Sequence, residues 1–190
     1  VTNMPSLKTD PDGLHEHPKR STSAVLWTAA VLATGAFLWV RTQQLHPLIV
    51  ERVHKAPELS HVTNEGVLEL SVGIGSFLAF VLSIALAAIY FSLASVLETR
   101  VLPGVRGALG NLTIGVLGTS SIVSLVGLQA VASFGQLVSI KGQWYSFAFV
   151  ALVGVTAPFL FTACWDKRPA LARLLTFGLS LGIAAGSLLF

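Results

Sequence analysis

Five histidines, nine carboxylates and a single cysteine are the side chains of this 190-residue sequence best suited to bind a metal, carry a proton or attack a carbonyl. Glu51, His54, Glu58 and His61 recur at spacings of three or four, which on an unbroken helix would gather several metal ligands on one face. Pro57 interrupts that face, so no metal site is expected. All five histidines (His15, His17, His46, His54 and His61) fall in polar segments, which leaves none to ligate a haem between apolar helices and implies no cofactor. Cys164, beside Trp165, has no partner for an internal disulfide and reads as an apolar packing residue. A lipid-active enzyme would have to use Glu69, Glu98, Asp166 or the loop histidines, and no two of these form a recognisable motif, so no catalytic residues are assigned. Glu69 lies closest to an apolar stretch. It reads as an interfacial carboxylate, and alternatively as part of an ion pathway with Gln129 and Gln136.

The elements that hold these residues follow from hydropathy. The sequence is 53% hydrophobic and 11% charged, well below the roughly 25% charge usual for soluble domains. Such a chain belongs in a bilayer. A spanning helix needs about 20 apolar residues, and five charge-free stretches of that scale predict an all-α, polytopic integral membrane protein: a flexible tail at 1–20, then a bundle of about five transmembrane helices over 21–190. The expected spans are about 21–40, 70–95, 111–131, 143–165 and 169–190, with an outer loop at 41–66 that carries a short amphipathic helix around Leu48 to His54. The stretch 108–140 is too long and too rich in Gly, Ser and Thr for one straight helix. A span followed by an interfacial or re-entrant piece through Ser133 to Gln136 is preferred, with two half-helices as the alternative. Pro158 should bend the fourth span.

Of the 12 Lys and Arg residues, Lys8, Lys19, Arg20, Arg100, Arg106, Lys167, Arg168 and Arg173 fall on one side of these spans, and Arg41, Arg52, Lys55 and Lys141 on the other. The excess predicts a cytoplasmic N-terminus and an outside C-terminus, and the Ala, Gly, Val and Arg usage leans towards a bacterial plasma membrane. A net charge of +3, thinly scattered, points to no nucleic-acid partner.

Within a membrane, helices associate where small residues let backbones approach. Ser71, Gly75, Ala79, Ser83 and Ala87 recur at four-residue steps in the second span, as do Gly178, Gly182 and Gly186 in the fifth. These are the expected helix-packing residues. The expected role is a non-catalytic accessory or scaffold subunit of a larger membrane complex, its partners being membrane lipids and other membrane subunits or further copies of itself. The alternative is a small oligomeric transporter or channel whose pathway follows the Gly/Ser/Thr-rich third span. A polar tail, one span, a loop and four closely spaced spans resembles the layout of Yip1-type five-helix membrane proteins, which would imply a membrane scaffold or trafficking factor. No acidic, Tyr-Gly-containing motif precedes the first span, so the resemblance transfers no functional residue.

Overall fold

A computed structural model describes residues 22–55, 65–102, 106–109, 112–137, 139–140, 142–161 and 169–190. The expected tail at 1–20, together with Glu58, His61, Cys164 and Asp166, lies outside the described residues. The fold is helical, with α1 at Ala24–His54, α2 at Glu65–Val101, α3 at Val116–Phe134, α4 at Trp144–Phe159 and α5 at Ala170–Gly186, closed by a 3-10 turn at Ser187–Leu189. Four of these are long and apolar enough to cross a membrane: α1, α2, α3, and α5 with its closing turn. At 16 residues, α4 spans about 24 Å at about 1.5 Å per residue.

Two boundaries differ from the sequence expectation. Arg41 ends the apolar stretch but not the helix: Thr42, Gln43, Gln44 and Leu45 contain no breaker, so α1 runs on to His54 and absorbs most of the expected loop, with Pro47 inside it. The amphipathic piece around Leu48 to His54 is therefore the end of α1 rather than a separate element. The third span begins at Val116, not near residue 111, because Arg106–Leu109 (β1) and Leu112–Gly115 (β2) pair as an antiparallel hairpin with Arg106 opposite Gly115 and Leu109 opposite Leu112. The intervening Gly-Asn pair at 110–111 is a hairpin-turn signal. At the other end of the same stretch, α3 closes at Gly135 and the chain turns at Gln136, whose φ is 51°.

The helices are ordered around α3. Of its most apolar window 67% is buried, against 6% of α2's, so α3 is the core of the bundle and α2 its outer wall. Side-chain contacts fix the directions. Thr22, at the head of α1, meets Gly118 at the head of α3, while Gln44 meets Ser133 near α3's other end, so α1 and α3 run the same way. Glu98, near the end of α2, reaches Gly118, and Phe161, just past α4, packs on Gly107 of the hairpin, so α2 and α4 run the opposite way. Ser180 of α5 meets Ser120, and Phe190 lies by Leu128, making α5 parallel to α3. The direction thus reverses at each of the four steps from α1 to α5.

Candidate functional site

A buried carboxylate sits where three helix ends converge. Glu98 is 2% exposed, and its two oxygens accept three hydrogen bonds. The Thr22 N–H and the Thr22 hydroxyl each donate to Oε1 at 2.7 Å, and the Gly118 N–H donates to Oε2 at 2.6 Å. Gly118 is the third residue of α3, one of the four whose N–H has no partner within its own helix, so Glu98 caps α3 from another element and places negative charge at the positive end of its dipole. Having donated to Glu98, the Thr22 hydroxyl accepts the Gly115 N–H at 3.0 Å, and the Ser23 N–H donates to the Thr113 carbonyl at 2.8 Å. The head of α1, the end of α2 and the β2–α3 junction are therefore tied by one network. Glycine at the end of β2 and in the first turn of α3 is a requirement of space, since a side chain at Gly115 would collide with the Glu98 carboxylate and one at Gly118 with Thr22.

The other end of α3 meets donors. Gln44 Nε2 donates to the Ser133 carbonyl at 3.0 Å, and Arg41 Nη1 donates to Gln129 Oε1 at 3.4 Å. A carboxylate at the head and a cation with an amide donor towards the tail both complement the dipole. Gln129 is fully buried. A guanidinium only donates, so Gln129 must turn its oxygen to Arg41, and its Nε2 is left without a hydrogen-bond partner among the described residues.

Between these ends, hydroxyls connect α3 to its neighbours. Pro158 lacks an N–H, so the carbonyl of Gly154, four residues earlier, loses its helical partner. Ser180 Oγ of α5 donates to that carbonyl at 2.8 Å and receives the Ser120 hydroxyl at 2.5 Å, a relay from α3 through α5 into α4. Pro158 therefore supplies a joint as well as a helix end. Tyr90 of α2 donates to the Ile183 carbonyl at 2.8 Å, with Ser124 Oγ 3.3 Å away and its ring seated over Gly186.

The hydrogen bonds of these groups tie helix ends and helix faces together. Glu98 accepts three donors and is closed to solvent, and the α3 serines bond either neighbouring helices, as Ser120 and Ser133 do, or a carbonyl of their own helix, as Ser121 does. The residues singled out in the sequence are dispersed: Gln129 is buried in the core, Gln136 is exposed on the turn after α3, and Glu69 is exposed on α2, where it lines an outer groove with His46, Gly66 and Phe77. The structure does not bring Glu69, Gln129 and Gln136 together.

The small-residue rows divide. Four-residue steps advance about 40° beyond a full helical turn each time, so a row of five drifts by about 160° around its helix. Ser71, Gly75 and Ala79 face outward, Ser83 is half-buried and Ala87 lies in the core. Ser71 and Ser83 turn their hydroxyls to the carbonyls of Val67 and Ala79 on their own helix, which leaves the row without free donors. On α5, Gly186 takes the Tyr90 ring, whereas a Cβ at Gly178 or Gly182 meets nothing within 4 Å among the described residues. α4 and α5 approach closely at Gly154 instead, where a Cβ would stand 2.8 Å from Leu181 Cα. Sequence reasoning missed Glu98 because it terminates an apolar run and looks like a boundary charge. It missed Gly154 because that glycine belongs to no repeated row, although Pro158 four residues on was a usable signal. Comparison with known protein families, curated proteins and solved structures finds no match for this chain.

Proposed function

We propose that this protein is a non-catalytic packing subunit of a larger membrane assembly, docking a neighbouring chain against the open glycine face of α5. The supporting observation is that, among the described residues, Gly178 and Gly182 have nothing within 4 Å of where a side chain would begin, although α5 is otherwise knitted into the bundle through Ser180, Ile183 and Gly186. A helix uses glycine at some cost in propensity relative to alanine, up to about 1 kcal/mol per residue, and close backbone approach is the return that membrane helices obtain for it. No neighbour within the described chain takes that return. The exposed Ser71, Gly75 and Ala79 of α2 offer a second, similar face.

Cysteine cross-linking in native membranes tests this directly. With Cys164→Ser removing the natural thiol, Gly178→Cys should give one discrete cross-linked product that Gly182→Leu abolishes. Absence of any product from Gly178→Cys, with the protein present and folded, overturns the proposal.

The second reading, a small oligomeric transporter along α3, draws on Gln129, whose buried Nε2 lacks a partner among the described residues beside the Arg41–Gln129 contact. That reading requires Gln129→Leu to abolish a measurable flux while leaving the assembly intact.

A further inference from the structure

We propose that the protein stands in a bilayer of unequal thickness, in which lipid hydrocarbon reaches about 15 Å further along α2 than along α4 and α5, at the end of the bundle where α3 closes. α2 carries no charge over residues 70–97, about 42 Å of helix at about 1.5 Å per residue. The charge-free runs of α4 and α5, residues 144–161 and 174–190, measure only about 25–27 Å by the same rise. An ordinary hydrocarbon core is about 30 Å thick, so one face is too long for it and the other slightly short. The surplus lies at one end. Where Glu98 bonds Gly118 and Phe161 packs on Gly107, α2, α3 and α4 have their ends together. At the opposite end the Ser133 hydroxyl donates to the Phe37 carbonyl at 3.3 Å, and the Trp39 and Phe80 rings lie 5.3 Å apart. Phe80 is therefore level with the last turn of α3, and residues 70–79 run about 15 Å past it without a charge. Tilting does not reconcile the two faces. A tilt that fits residues 70–97 into about 30 Å shortens the α4 and α5 runs in the same proportion, to about 18 Å.

The covering of residues 70–79 is a fluid rather than a partner helix. Phe77, Leu70, Ile74, Leu78, Gly75 and Ala79 are all open or nearly so, and at 100° per residue they spread over roughly 200° of the helix surface. One neighbouring helix rests on a stripe of roughly 100°. A chain seated on Gly75 and Ala79 would thus leave Leu70, Ile74 and Phe77 uncovered. Ser71, within the same arc, turns its hydroxyl to the Val67 carbonyl of its own helix and offers water little. An apolar surface that wraps this far around one helix is met by lipid. The proposal is independent of whether α5 docks a neighbour.

Spin labels on the full chain in dioleoylphosphatidylcholine vesicles test it, with Cys164→Ser removing the natural thiol. Ile74→Cys, past the level of α3's end, should carry a label relaxed by oxygen and not by a water-soluble nickel chelate. Gln143→Cys, exposed just before Trp144 at the head of α4, should be relaxed by the chelate, because the thin side has already reached water there. Should Ile74→Cys fail to fold, Phe77→Cys carries the same expectation. Relaxation of the Ile74 label by the chelate overturns the proposal, since that part of α2 would then stand in water. A label at Ile74 closed to both reagents overturns it too, because a polypeptide would cover the helix. So does a Gln143 label open to oxygen alone, which would make the two faces equally thick.

Discussion

Two glutamates of the same helix separate burial from proximity to the membrane. Glu69 is exposed and faces outward, whereas Glu98 is closed off and accepts three donors from two other segments. Burying a carboxylate is costly unless every lone pair that matters is met by a donor, and here the donors include two backbone N–H groups, one of which α3 cannot satisfy internally. Glu98→Gln keeps the shape but turns an NH2 group towards a donor, breaking at least one of these bonds. It should destabilise the fold by about 1–3 kcal/mol, read as a lower melting temperature in detergent or nanodiscs. Glu69→Gln should leave both melting temperature and assembly unchanged. Equal melting temperatures for Glu98→Gln and the parent would show that the network does not hold the helix ends.

At the scale of elements, α4 and α5 are joined by a vacancy in one and a hydroxyl in the other. If Pro158 frees the Gly154 carbonyl and Ser180 satisfies it, the effects of the two residues must be coupled. Ser180→Ala should cost about 0.6–1.7 kcal/mol, the range measured for bonds between membrane helices. Pro158→Ala restores an N–H to that carbonyl, so the cost of Ser180→Ala should shrink in its presence. Strict additivity in this double-mutant cycle would mean the two residues act independently. The same pair illustrates what was legible in the sequence. Hydropathy located the five described α-helices, because apolar length is a property of composition. It placed the helix boundaries less well, since a charge such as Arg41 ends an apolar run without ending a helix, and the hairpin at 106–115 interrupts charge-free sequence without a change in polarity. The buried network depends on which ends meet in space, and nothing in the spacing of Thr22, Glu98 and Gly118 announces that they do. The glycine rows were visible, but helical drift determines which members face inward, and only directions fixed by packing reveal that Gly186 faces Tyr90 while Gly178 and Gly182 stay open.

For the whole molecule, the alternation of helix direction puts Thr22 and Phe190 at opposite ends of the bundle. Reporters fused before residue 22 and after residue 190 should therefore report opposite sides of the membrane, and reporters on the same side would contradict five crossings. The functional account rests on a different separation, between what holds the chain together and what it offers to another chain. Among the described residues, the space beside Gly154 is taken by α5 and that beside Gly182 is open. The most direct measurement is the mass of the native assembly in nanodiscs drawn from intact membranes, taken together with melting temperature, for the parent and for Gly182→Leu. The account predicts an assembly heavier than one chain for the parent, and a variant that melts at the same temperature or slightly higher but has lost the additional mass. A Gly182→Leu protein that retains the parent's full assembly mass would contradict it.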